Sequence, residues 1–105
     1  MSKPPDDVLR ALADPTRRAI YESLLETEHP VTHLTRKMRV SQPAVSQHLA
    51  VLKDAGLVTP RQEGRHRFYR ANPAGLTPLV DWLEHYRRFW NTRLPKLKAT
   101  LEDLE

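Results

Sequence analysis

The sequence predicts a mainly α domain that carries a small β-hairpin, in the order α-α-α-α-β-β-α. Three features of the chain lead there. From Val40 to Gly56, apolar residues recur at helical spacing between a marked start and a marked stop. From Leu57 to Ala71 the pattern changes to two short strands around a glycine-containing turn. After Asn72-Pro73, leucines and aromatics return at steps of three and four along the rest of the chain. With 105 residues and no internal repeat, the chain makes a single domain with room for one modest core.

Residues Asp6 to Ala13 read as a short helix with Val8, Leu9 and Leu12 on one side. Asp14-Pro15 is a strong start signal, because Asp caps a helix and Pro fits its first position. Ile20, Leu24 and Leu25 then supply a buried face up to about Glu26. Thr27 to Pro30 is a break. Val31 to Met38 forms a third helix with Leu34 and Met38 inward and Thr35, Arg36 and Lys37 toward solvent. Arg39 to Gln42 turn the chain into the fourth helix, where Ser41 serves as N-cap, Pro43 occupies the first turn and Gly56 ends the run. Val45, Leu49 and Leu52 make its buried stripe. Residues 31–56 are thus a helix-turn-helix.

Leu57 to Arg61 and Arg65 to Ala71 read as strands flanking the turn Gln62-Glu63-Gly64. A basic ribbon with Gly64-Arg65-His66-Arg67 at its tip, following such a helix, is a wing over residues 57–71. Phe68 and Tyr69 point to opposite faces, so at least one packs on the helices. The terminal helix covers about residues 74–104, with Pro78 in its first turn and Pro95 expected to kink or interrupt it near Arg93. Leu76, Leu79, Leu83, Tyr86, Trp90, Leu94, Leu97, Leu101 and Leu104 follow a near-heptad seam that Trp82 and Phe89 widen. A core of this size does not cover so long a stripe. It is expected to pair two copies of the chain, shared with the first helix through Val8, Leu12, Leu79, Leu83, Tyr86 and Trp90. The other reading is a helix folded back over its own domain.

The polar face of the fourth helix points to function. It carries Gln42, Ser46, Gln47 and Lys53, with Ala44 and His48 at its borders, in place of the Glu and Lys that usually solubilise an exposed helix. Amides and hydroxyls both donate and accept, and Gln can pair with the major-groove edge of adenine. Such a face suits the reading of double-stranded DNA; the alternative is an ordinary surface helix rich in Gln and Ser. Charge separates the two. The net +4 is unevenly spread: residues 1–29 carry four basic and six acidic side chains, residues 30–72 eight against two, and residues 73–105 five against five. The whole excess lies around the helix-turn-helix and the wing, where Arg65 and Arg67 stand at the tip. Arginines on an edge strand also oppose aggregation, so the two roles overlap.

The absence of cysteine excludes a disulfide framework, a thiolate metal site and a cysteine nucleophile. No glycine-rich phosphate loop is present, and no carboxylate pair stands beside a histidine, so the chain reads as a non-enzyme without a cofactor. No apolar run exceeds the four residues Leu49 to Leu52, and the first residues are polar. Neither a signal peptide nor a membrane span is expected, and the location expected is the cytoplasm.

Several strings in this order resemble the ArsR/SmtB family of small bacterial winged-helix repressors. They are Leu12-Ala13-Asp14-Pro15-Thr16-Arg17-Arg18, Ser41-Gln42-Pro43-Ala44-Val45-Ser46-Gln47-His48-Leu49, Asp54-Ala55-Gly56-Leu57-Val58, and Gly64-Arg65 leading to Tyr69. The resemblance covers about residues 8–71. It implies a homodimer that binds a palindromic operator and is released by an effector, a small molecule or a protein. It also implies that Ser41, Gln42, Ser46, Gln47 and His48 face the major groove and its phosphates, with Arg65 and Arg67 on the wing. The chain departs from the family's metal sensors. Val31-Thr32-His33-Leu34 stands where Cys-x-Cys belongs, Asp81 is followed by Leu83 where His belongs, and no histidine follows His85. The pairs His29/His33 and Asp81/His85 have helical i, i+4 spacing but supply only two ligands each, so no metal site is expected. The run Trp82, Tyr86, Phe89, Trp90 looks like the family's metal-independent members. Two other functions compete: a winged-helix module for protein partners, which calls for an acidic or apolar surface on the third and fourth helices, and a metal-responsive repressor with an unfamiliar ligand set.

Overall fold

The computed structural model describes residues 5–103. Helix α1 (Asp6–Ala13) meets α2 (Pro15–Glu26) at a one-residue corner. There Asp14 is extended and its side chain accepts the Arg17 N–H at 2.9 Å, with Pro15 at the first helical position. Strand β1 (His29–Pro30) leads directly into α3 (Val31–Met38), and α4 (Gln42–Asp54) follows after a tight turn. Strands β2 (Val58–Glu63) and β3 (His66–Ala71) form the wing. A 3-10 turn (Pro73–Leu76) then starts α5 (Thr77–Asp103).

The sheet has three antiparallel strands in the order β1-β3-β2, one more than expected. His29 pairs with Tyr69 and Pro30 with Phe68, so the segment read as a break ties the wing to the helical body. Pro60 lies in β2, an edge strand, where its missing N–H leaves no ladder position empty. The hairpin loop is also shorter than expected. Gln62 and Glu63 remain in β2, opposite Arg67 and His66, and only Gly64 and Arg65 make the turn. Gly64 adopts φ 59°, the left-handed value that glycine supplies in two-residue hairpin loops.

The core contains Ile20, Leu34, Val45, Leu49, Leu52 and Leu57, all fully buried, with Val8, Ala11, Tyr21, Leu24, Val58 and Tyr69 around them. Tyr69 is the aromatic of β3 that packs inward. Leu25, expected inside, is 50% exposed, and Leu9, read on the same side of the first helix as Val8 and Leu12, is 42% exposed. On α2 the buried face turns to Tyr21 and Ser23. The Ser23 hydroxyl tolerates burial because it donates to the Ala19 carbonyl at 3.0 Å and accepts from Lys37 Nζ at 2.8 Å. Lys37 stays exposed, as the sequence places it, and only its ammonium reaches Ser23.

Helix α5 packs against α1 and the 3-10 turn through its first residues, and Leu76 and Leu79 rest on the core. Beyond them it leaves the body, and it continues through Pro95 without interruption. Proline removes one N–H and crowds one carbonyl, and on this exposed helix no packed neighbour is displaced. Gly75 sets the joint. A Cβ there would lie 2.0 Å from the Gly56 carbonyl oxygen, and Asn72 Nδ2 donates to the same oxygen at 3.0 Å. The end of α4 and the start of α5 are thus in backbone contact. Leu104, expected to close the seam, lies outside the described residues, as does the side chain of Leu97.

The His29 ring stacks on that of His33, with centroids 4.3 Å apart and planes 11° from parallel. Burial first, then the charges of His33 and Lys37, hold the His29 imidazole below its ordinary value, against an opposing pull from Glu26. The folded chain therefore binds this proton less readily than the unfolded chain, and stability falls as the pH drops below the ordinary value of 6.5. The thermal midpoint is expected to decline from neutral to mildly acidic pH, and less so in His29→Gln. Equal declines in the two proteins would assign the acid sensitivity to other groups.

Candidate nucleic-acid interface

The α4 helix is held at both ends. Ser41 Oγ accepts the Ala44 N–H at 3.3 Å, and Pro43 sits in the first turn. At the other end Gly56 adopts φ 79°, and the Leu57 N–H returns to the Leu52 carbonyl at 2.9 Å. Val45, Leu49 and Leu52 fix the inner face. The outer face is then set by helical geometry: Ser41, Gln42, Ser46, Gln47 and Lys53 are exposed, and Ala44 and His48 are half-buried along the flank. In the turn before it, Arg39 takes a left-handed conformation at φ 56°, and its N–H closes α3 by donating to the Thr35 carbonyl at 3.1 Å. The turn is compact enough to hold α3 against α4 and leaves the start of α4 open to solvent.

The structure divides the basic residues into engaged and free. Arg61 grips Glu28 with two nitrogens, Nε to Oε2 at 3.0 Å and a terminal nitrogen to Oε1, and its other terminal nitrogen donates to Glu63 at 2.8 Å. Arg61 is held above its ordinary value by both carboxylates, and Glu28 below its own chiefly by the Arg61 hydrogen bonds. The pair fastens the wing to the end of α2, and the Arg61 charge is neutralised. Lys37 is engaged with Ser23. By contrast Arg36, Arg39, Lys53, Arg65 and Arg70 are exposed and make no side-chain hydrogen bond or ion pair among the described residues. Arg67, also exposed, lies over the Tyr69 ring at 5.4 Å, which holds its stem along the strand. The free cations thus stand on the α3–α4 turn, along α4 and on the wing, around a face of amides and hydroxyls. Such an arrangement neutralises phosphates while leaving groups that read base edges.

Of the residues expected at a dimer surface, Leu83, Tyr86 and Trp90 are exposed on α5, and Leu12 and Leu79 are partly packed on the core. Val8 lies inside the chain's own core at 3% exposure, because α1 docks that side on α2 and α4. Leu9 is the outward residue of α1 instead. Trp82, Leu83, Tyr86 and Trp90 line a shallow apolar cleft of about 250 Å³.

Sequence reasoning missed Arg17, whose side chain donates to the Ala11 carbonyl at 2.6 Å and approaches His48. Its only local signal is a position three residues after Asp14. Arg39 was placed in the turn, but its left-handed conformation was not foreseen. Among the described residues no group of three or more histidine, aspartate or glutamate side chains is placed to hold a metal ion, and no helix is long and apolar enough to cross a membrane.

Comparison with known proteins agrees with this geometry. Residues 14–59 match the family described as bacterial regulatory protein, arsR family. The chain is 49% identical over 90 residues to the HTH-type transcriptional regulator Rv2034 of Mycobacterium tuberculosis, covering 86% of this chain and 81% of that protein. It is 48% identical over 74 residues to the HTH-type transcriptional repressor SmtB of the same species, covering 70% of this chain and 55% of the repressor. Among solved structures, a possible transcriptional regulator for arsenical resistance superposes with a TM-score of 0.72 at 42% identity, covering 90% of this chain and 95% of that one. The chain belongs to the ArsR family, whose members are DNA-binding transcriptional regulators and not enzymes.

Proposed function

We propose that the chain is a homodimeric repressor that works in the cytoplasm, binds a palindromic operator and is released by an effector, a small molecule or a protein. The observation that carries this reading is the α4 face, where Ser46 and Gln47 stand exposed among unengaged arginines. In this reading Ser41, Gln42, Ala44, Ser46, Gln47 and His48 meet the major groove and its phosphates, Lys53 adds charge, and Arg65 and Arg67 follow the backbone or the minor groove beside it. The two copies associate through α5, with Leu83, Tyr86 and Trp90 at the centre and Leu12, Leu79 and Leu9 at the edge. Similarity to proteins named as repressors supports the direction of regulation.

Gln47 and Arg65 separate the two kinds of contact. Gln47→Ala is expected to weaken binding to the preferred duplex by about 1–3 kcal/mol and to leave binding to scrambled duplex nearly unchanged, because an amide reads bases and neutralises nothing. Titrations on both duplexes at one salt concentration measure this, and equal losses on the two would remove Gln47 from base reading. Arg65→Ala is expected to lower affinity for every duplex and to reduce the salt slope by about one. An unchanged slope and affinity would place the wing away from DNA.

A further inference from the structure

Arg17, in the first turn of α2, reaches both the end of α1 and the flank of α4 with one side chain. Its Nε donates to the Ala11 carbonyl at 2.6 Å and one terminal nitrogen to the Arg10 carbonyl at 3.3 Å, so the guanidinium closes the last turn of α1. The other terminal nitrogen lies 3.5 Å from His48 Nδ1, at the long end of hydrogen-bonding range. His48 is half-buried on the flank of α4 turned toward this corner. Asp14 faces the same corner: its carboxyl is held below the usual range first by the Arg17 backbone N–H, and the charge of Arg17 acts in the same direction. A guanidinium has no acceptor and keeps its charge, so the contact requires an unprotonated Nδ1 on His48.

We propose that Arg17 is a positioning residue for DNA recognition: by holding His48 to the carbonyl end of α1, it trims the rotation that Val45, Leu49 and Leu52 set for α4, and with it the direction of Gln47. The inference rests on the reading of α4 as the helix that meets DNA, and it moves His48 from the groove-facing set to the scaffold. It also links two functions, since the α1 whose end Arg17 closes carries the exposed Leu9 on its outer side. A change in how α1 is packed reaches the reading helix through a contact of three residues.

The sign of one substitution tests this. If His48 met DNA, His48→Lys would add a phosphate contact, raise affinity for any duplex and steepen the salt slope by about one. As the partner of Arg17, a lysine repels the guanidinium. His48→Lys is then expected to lose about tenfold in preference for the selected over a scrambled duplex, with little change in thermal midpoint at this half-buried site. His48→Asn, whose Oδ1 can replace Nδ1 as acceptor, is expected to retain most of the preference, and His48→Leu to lose it. Arg17→Gln combined with His48→Leu should be no worse in preference than the more damaged single variant. The probe is the duplex that the full chain selects from a random-sequence library. A chain that selects no duplex overturns the DNA reading and this inference with it. A chain that selects one, while His48→Lys binds it more tightly or the two single losses simply add, overturns this inference alone. Loss of preference only in proportion to loss of thermal stability would reduce Arg17 to a closure for α1 and also refute it.

Discussion

Replacing Leu83 and Trp90 together by Glu is expected to yield a folded monomer that has lost most of its affinity for a palindromic duplex. The two side chains are 53% and 46% exposed in the single chain, so glutamates there meet water and leave the fold intact. In the proposed dimer the same positions are buried across the two-fold axis, and unpaired carboxylates there are costly enough to prevent association. Two reading helices enter successive major grooves only when they are held about 34 Å apart. Nothing between α3 and β3 supplies that distance, because those elements are occupied with their own core. Sedimentation and titration of a palindrome measure both parts. A variant that stays dimeric would assign assembly to another surface. A monomer that binds the full palindrome as tightly as the parent would separate assembly from recognition.

Leu49→Ala is expected to be the most damaging single truncation on α4, at about 2–5 kcal/mol of folding stability. Leu49 is fully buried between Val45 and Leu52 on the same stripe, and its loss leaves a cavity beneath the helix that carries Gln47. Small domains have only about 5–15 kcal/mol in hand, so the variant should be partly unfolded near physiological temperature. Leu49→Met, which conserves volume, is expected to stay within about 1.5 kcal/mol of the parent. Denaturant midpoints decide the matter. If the alanine variant falls within about 1 kcal/mol of the parent, the inner and outer faces of α4 have been assigned the wrong way round.

The helices were legible because their ends are written in side chains that act locally. Asp14-Pro15 starts α2 and Ser41 with Gly56 brackets α4 through bonds to the residues beside them, and the stripe from Val45 to Leu52 needs only helical geometry. Failures came where the deciding contact is distant in the chain. His29-Pro30 is too short, and too poor in strand formers, to declare itself; it is a strand because Phe68 and Tyr69 offer it an edge. Leu9 and Leu25 have the spacing of core residues, but only the docking of whole helices selects which side of α1 and α2 is covered. The amide and hydroxyl face of α4 could be read from the sequence. The division of the arginines into engaged and free could not, since Arg61 is neutralised by Glu28, which lies 33 positions away.

The backbone contact between Gly56 and Gly75 makes the fold a lever. At 27 residues, α5 is about 40 Å long, so a tilt of about 5° where it leaves the body moves its far end by roughly 3.5 Å, close to the rise of one base pair. In the proposed dimer the far end would be held, the motion would pass instead to α4, and the spacing between half-sites would become a matter of angle at one joint. Two glycines without side chains to cushion them set that angle by direct backbone contact. A methyl group at residue 75 would meet the Gly56 carbonyl oxygen at 2.0 Å and force the joint apart, which in the proposed dimer would change the spacing between the two α4 helices without altering their own residues.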